Sequence, residues 1–378
     1  MDILNFTGFI RDIVYTPCLI PRRIDTYNIN NFNINSSKPF GIITLDTPQN
    51  TIAFSKWKSP KRTRTYPFAR IYNTYNLNSK KVTVIPVIKD EGAGTQNNDR
   101  INFITLSWMN LLNVYIILAW YEQADRVQNS PDKITNQKFD NNYINQKILE
   151  ISHYQSTALH WNITHFERDF ATVYLNAVNS YESIEMTQKV KLHPRSKHLE
   201  ILEKFKNNGY FNIEQFKKYT LPRSLEAAHR ESRTTHKFEH LADGYKGIFF
   251  LSNYLGGVYH LTADEIYKEG DTFIIQESKN VNNKKLPSID DIKDGLFKLM
   301  LFTNLESLFL DNTEVKFTTR LKITGSVKGS LNLQSDFSTR EAFCQNNTFS
   351  KTQRQLVELL YQETIQKPKL SIIITSNE

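Results

Sequence analysis

Asp264, Glu277 and Lys279 are the residues of this 378-residue chain whose types and spacing could do chemistry together. Two carboxylates give a divalent cation the hard oxygen donors it takes, and Mg²⁺ keeps several waters besides. The backbone carbonyl of Ser278 is a further oxygen for the same ion. A cation so held polarises a phosphate and lowers the pKa of a bound water. A lysine beside it can orient that water or stabilise charge on the pentavalent phosphorus. This is the chemistry of phosphodiester hydrolysis.

The elements that must position these residues are two strands. Val258–Glu269 and Asp271–Lys279 alternate in β-branched, aromatic and polar residues, and Glu269-Gly270 between them is a two-residue hairpin signal. With that loop, Lys268 pairs with Asp271, Asp264 lies opposite Ile275, Thr262 opposite Glu277 and His260 opposite Lys279. Side chains alternate along a strand, so Asp264, Glu277 and Lys279 share a face. The two acids are then diagonal neighbours with Cα atoms roughly 7–8 Å apart. A one-residue slip would put them on opposite faces. Gln276 points to the other face as a structural residue. Thr272-Phe-Ile-Ile buries well and drives Glu277 and Lys279 toward the end of a core strand, where charge must be paired or bound to metal.

The surrounding order is a helix over Pro222–Leu241, a strand over Gly247–Tyr254, the two hairpin strands, a helix over Ile292–Phe309 started by Ser288 and Asp290-Asp291, and a strand over Val315–Ile323. An Asp near the end of one strand followed by Glu-x-Lys at the end of the next, within that order, resembles the PD-(D/E)XK nuclease superfamily, the fold of many restriction endonucleases. The resemblance covers about 100 residues, the usual boundary error aside. The superfamily's Pro-Asp is Ala263-Asp264 here. The resemblance implies a further acid from the first helix, Glu231 or Glu226. It implies a type II restriction role on double-stranded DNA with Mg²⁺, a homodimer because both strands are cut, and a DNA methyltransferase encoded nearby.

Composition fits such a partner. The chain carries 47 Lys and Arg against 39 Asp and Glu, a net charge of +8 and a sequence pI near 9.1. Hydrophobic content of 39% and aromatic content of 12% suffice for real cores. Cys18 and Cys344 make neither a disulfide framework nor a metal spacing, and no signal peptide is evident, which leads us to expect a cytoplasmic protein. No Walker A motif or Gly-rich phosphate loop is present, so no ATPase is indicated. The apolar run Phe103–Trp120 is interrupted by Ser107, Asn110 and Asn113. It reads as a helix to Leu112 followed by a buried strand from Val114, not as a membrane span.

The expected fold class is mixed α/β (α+β), divided into an N-terminal α/β domain over residues 1–186, a helical connector over 187–221, the nuclease-like core over 222–325 and a helical extension over 326–378. In the first domain, Phe40–Asp46 and Thr51–Trp57 form a hairpin, Lys81–Ile88 a strand, and Asn141–Tyr154 and His165–Tyr181 helices. In the extension, two helices flank Asn346-Asn347, the second capped by Ser350. Lys56, Lys58, Lys61, Arg62, Arg64 and Arg70 alternate with Trp57, Tyr66, Phe68 and Tyr72 in a segment that Pro60 and Pro67 mark as a loop; they are the candidate DNA contacts. Asp90, Glu91 and Asp99 read as a polar loop with an Asp99–Arg100 pair, the alternative being a second acidic metal site. His153, His160 and His165 read as ordinary surface or core histidines.

The reading that follows is a metal-dependent DNA endonuclease with Asp264 and Glu277 as metal ligands and Lys279 positioning water. The alternatives are a defence or repair nuclease working with a partner protein, and a DNA-binding protein without catalysis.

Overall fold

The structure, a computed structural model, describes residues 3–47, 49–61, 67–92, 98–233 and 244–377, with only the backbone for 231–233. The chain is mixed α/β and divides into two compact units, residues 1–21 with 225–378, and residues 22–224. The division differs from the expected one. The first strand, Ile3–Ile10, belongs to the same unit as the Asp264 hairpin, and the other unit is inserted between them. No helix among the described residues is long and apolar enough to cross a membrane.

The hairpin unit is built on a nine-stranded mixed sheet. Ile3–Ile10 lies parallel to Tyr245–Asn253; Val258–Glu269 is antiparallel to that strand and to Thr272–Asn280; Thr272–Asn280 then runs parallel to Lys316–Gly325. The helix Ile289–Thr303 provides the crossover between the last two and packs on both. Its start is set by Ser288, whose side chain accepts from the Asp291 N–H at 3.1 Å, as the sequence predicts. Its end is not where the apolar period suggests. The helix stops at Thr303, and Leu305–Leu310 is a strand antiparallel to Ile3–Ile10. Asn304 breaks the run by donating its side-chain amide back to the Met300 carbonyl at 2.8 Å.

Residues 326–378 are no helical appendage. The helices Phe337–Asn346 and Lys351–Gln366 form as expected, the second with a capping box of Ser350 and Gln353. The chain then returns as Leu370–Ser376, a strand parallel to Lys316–Gly325. Its alternating Leu370, Ile372 and Ile374 are buried.

The inserted unit has a five-stranded sheet of Thr26–Asn28, Phe40–Thr44, Thr51–Lys56, Lys80–Pro86 and Val114–Ala119 in that order. The Phe40–Thr44 and Thr51–Lys56 pair is the expected hairpin. The Phe103–Trp120 run is a helix, Phe103–Leu111, reversed at Asn113 (φ +52°) into the buried strand Val114–Ala119. The helix Ala158–Gln188 outruns the expected segment at both ends. The connector is only partly helical: a tight hairpin with Asn208-Gly209 at its turn, both at positive φ, follows the helix Arg195–Glu203. The next helix, Ile213–Arg233, begins after Asn212, whose side chain accepts from the Glu214 and Gln215 N–H groups, and it carries Pro222 in its interior rather than at its start.

Candidate active site

The loop of the Asp264 hairpin is Gly270-Asp271, so Glu269 pairs with Thr272 and Ile266 with Ile275. Gly270 takes the first loop position at φ +59°, a left-handed conformation that glycine adopts without steric cost. The expected register is therefore wrong by two residues. Because the side-chain period is also two, the shift keeps Asp264, Glu277 and Lys279 on one face. Ladder pairing ends at Glu265 and Gln276, and the next residues in register, Asp264 and Glu277, stand across the fork where the strands part. Thr262 and His260 do not reach Glu277 and Lys279; they lie opposite Ile248 and Phe250 of the neighbouring strand.

A β-bulge is the local cause. Tyr245 pairs with Ile266 but Gly247 with Ala263, so Asp264 and Glu265 together answer the single Lys246. Such an extra residue bends the strand and re-aims its side chains. Asp264 spans the resulting gap, its Oδ2 accepting the Ser278 N–H at 2.8 Å. In a strand the N–H and C=O of one residue point to the same side, so the Ser278 carbonyl also faces the fork. On the opposite face Gln276 Nε2 donates to Glu265 Oε2 at 2.7 Å, the structural role expected for Gln276.

Glu277 is buried, 5% exposed, and has an ammonium group on each oxygen. Lys279 Nζ is 3.2 Å from Oε1 and Lys298 Nζ 2.6 Å from Oε2. Burial alone would raise the Glu277 pKa; Lys298 and then Lys279 outweigh it and hold the carboxyl below its ordinary value. For Lys279 burial acts to lower the pKa, and the charges of Glu277, Asp294 and Asp264 reverse this and raise it. Asp264 is the group under tension: burial first, and Glu277 second, push its pKa up to about 6.

Lys298 and Asp294 come from the helix Ile289–Thr303 and were not singled out by sequence. Their signal is a four-residue spacing, which puts both on one side of a helix otherwise rich in buried apolar residues. Asp294 Oδ2 lies 3.7 Å from Lys279 Nζ. Gly295 lies against the Lys279 stem, and a Cβ there would meet Lys279 Cε at 2.9 Å and Leu321 Cδ1 at 3.0 Å. The glycine lets the lysine stem pass beneath the helix.

The donor set suits a small hard cation. Three carboxylates face two ammonium groups, one negative charge in excess when all are ionised. The raised Asp264 pKa, due to burial first and to Glu277 second, marks a carboxylate whose ionised form a divalent ion would favour. Among the described residues no three His, Cys, Asp or Glu converge on one point, so Asp264, Glu277 and the Ser278 carbonyl would leave the remaining positions to water and substrate. Glu226 is exposed on the helix Ile213–Arg233, and the Glu231 side chain lies outside the described residues.

The six basic candidates of the inserted unit separate. Lys56 Nζ donates to the carbonyls of Ile34 and Ser37, the latter at 2.7 Å. Burial, then Arg70 and Lys58, lower its pKa to about 8. Arg70 is buried in the helix Pro67–Thr74, where a loop was expected, and donates to the Lys56 carbonyl. Arg70 is thus buried and Lys56 half-buried, and the cationic group of each is turned to backbone carbonyls. Lys61 pairs with Asp99 at 2.6 Å, and Lys58 is exposed. Arg62 and Arg64 lie outside the described residues.

Asp99 therefore pairs with Lys61 and accepts from Ser59 Oγ at 2.8 Å, in place of the expected Asp99–Arg100 pair. Asp90 is fully buried and accepts from His193 Nδ1 at 2.9 Å and from the His193 N–H at 3.0 Å. His165 is a satisfied core histidine, its Nε2 accepting from the Leu118 N–H and its Nδ1 bonded to Asp169.

Comparison with family models, with curated proteins and with solved structures gave no match.

Proposed function

We propose that this protein is a metal-dependent DNA endonuclease whose active site is the fork between Asp264 and Glu277. The observation that carries the reading is the convergence there of two carboxylates and Lys279. A helix, three strands, a helix and the strand Lys316–Gly325 follow one another as the resemblance to PD-(D/E)XK nucleases leads one to expect, with Leu305–Leu310 and Thr313–Glu314 added before the last strand.

Asp264 and Glu277 would hold Mg²⁺, with the Ser278 carbonyl as a third protein oxygen. The ion supplies Lewis acidity toward a phosphate oxygen and an acidified water. Lys279, cationic and placed beside Glu277, orients the attacking water and offsets charge that builds on the phosphate. The sheet and the helix Ile289–Thr303 keep these groups fixed, so little reorganisation is needed during reaction. A type II restriction role, a homodimer and a methyltransferase encoded nearby follow from the resemblance alone; defence or repair cutting with a partner protein uses the same site.

Plasmid DNA incubated with the purified protein and Mg²⁺ is the test. Cutting should occur and should fall by about 100-fold or more in both Glu277→Ala and Lys279→Ala. Undiminished cutting by both variants would remove these residues from the mechanism.

One observation favours a second reading. Glu277 is already balanced by two lysines, as a purely structural charge cluster would be. A DNA-binding protein without catalysis would bind DNA and fail to cut it whichever divalent metal is supplied.

A further inference from the structure

The two carboxylates of the fork are unequally provided for. Glu277 has an ammonium group on each oxygen, the closer being Lys298. Asp264 has no ion pair within 4 Å among the described residues and relies on the Ser278 N–H. Lys298 is 8% exposed, on a helix segment whose neighbours Phe297 and Leu299 are buried. An ammonium group in such a place is costly unless paired with good geometry. It is also on a different element from Lys279, so the Glu277 carboxylate is gripped from its own strand at Oε1 and from the helix at Oε2. That fixes the plane of the carboxylate, which neither lysine could do alone.

Resting on the metal-site reading above, we infer that Lys298 is a positioning residue that works against metal loading. It holds Glu277 in place in the metal-free protein and stays bound to Oε2 when a cation arrives at the fork. Its charge then repels the cation it has prepared the ligand for. The site loads metal weakly but with Glu277 already aligned.

The test uses the full chain and Mn²⁺, which shares the octahedral oxygen preference of Mg²⁺ and whose free concentration is read by electron paramagnetic resonance. Removing a unit charge close to a divalent ion should tighten Mn²⁺ binding by about tenfold in Lys298→Met. Lys298→Arg, which keeps the charge, should stay close to the parent. At saturating Mn²⁺ the Lys298→Met protein should cut DNA more slowly than the parent, because Glu277 has lost its second anchor. Tighter binding with slower turnover is a split that a merely stabilising contact does not produce. Should Lys298→Met fail to fold, Lys298→Gln removes the same charge while keeping a hydrogen-bond donor.

A folded, charge-removed variant that binds Mn²⁺ no more tightly than the parent overturns the inference alone. A parent that binds no Mn²⁺ overturns the metal-site reading, and the inference with it.

Discussion

Asp264 Oδ2 accepts the Ser278 N–H at 2.8 Å, joining two strands just beyond their last ladder pair. The carboxylate thus has two duties, closing the fork and facing Glu277. Asparagine can accept the same hydrogen bond without the charge. Asp264→Asn should therefore fold with a melting temperature near the parent's and cut no DNA. Asp264→Ala should also lose stability, by about 1–3 kcal/mol for leaving the Ser278 N–H without its acceptor. Thermal melts of the two variants check the separation; an Asp264→Ala protein as stable as the parent would deny Asp264 its structural part.

The Asp264 pKa, raised to about 6 by burial and then by Glu277, sets a pH window. Between the ordinary carboxylate range and pH 6 the folded protein holds a proton that the unfolded chain has released. Stability from this group therefore falls as pH rises through that window. Metal binding requires the ionised form, so affinity should rise with pH up to about 6 and then level off. Calorimetric Mn²⁺ titrations from pH 5 to 8 check this. The same profile in Asp264→Asn would assign the effect elsewhere.

Gly295 leaves room for the stem of Lys279. Gly295→Ala adds helix propensity of about 1 kcal/mol but puts a methyl group 2.9 Å from Lys279 Cε. We expect stability close to the parent and cleavage at least tenfold slower, because the displaced ammonium loses its place beside Glu277. Paired denaturation and cleavage measurements decide it; full activity would show that Lys279 tolerates displacement.

Lys56 and Lys58 are two residues apart and should behave in opposite ways. Lys56→Ala strands the carbonyls of Ile34 and Ser37 and should lower stability by about 1–3 kcal/mol. The depressed Lys56 pKa means the folded parent binds fewer protons than the unfolded chain between pH 8 and 10, so stability from Lys56 rises across that window. Lys58→Ala should leave stability unchanged and weaken DNA binding, with a salt dependence shallower by about one charge. Melting curves and binding isotherms at several salt concentrations distinguish them.

Much of the hairpin unit was legible in the sequence because its signals are local. Ser288 caps a helix, Ser350 and Gln353 form a capping box, and alternation marks both hairpin strands. The two-residue register error did no harm to the site because it equals the strand period. Other features had no local signal. The bulge at Asp264-Glu265 depends on how the neighbouring strand pairs, and Leu305–Leu310 continues the apolar run of the helix before it. Ile3–Ile10 could not be assigned to this sheet because its parallel partner, Tyr245–Asn253, follows a complete inserted unit. Lys298 was hidden for a different reason: its role depends on a tertiary contact with Glu277.

That long separation has a consequence during synthesis. Ile3–Ile10 leaves the ribosome before the inserted unit, yet its partners Tyr245–Asn253 and Leu305–Leu310 emerge only after it. At about 5–20 residues per second the wait is on the order of ten seconds or longer. The edge of that strand stays unpaired throughout, a template for wrong partners. A ribosome that stalls between Ser224 and the Glu277 strand would release a chain with a complete inserted unit and no fork.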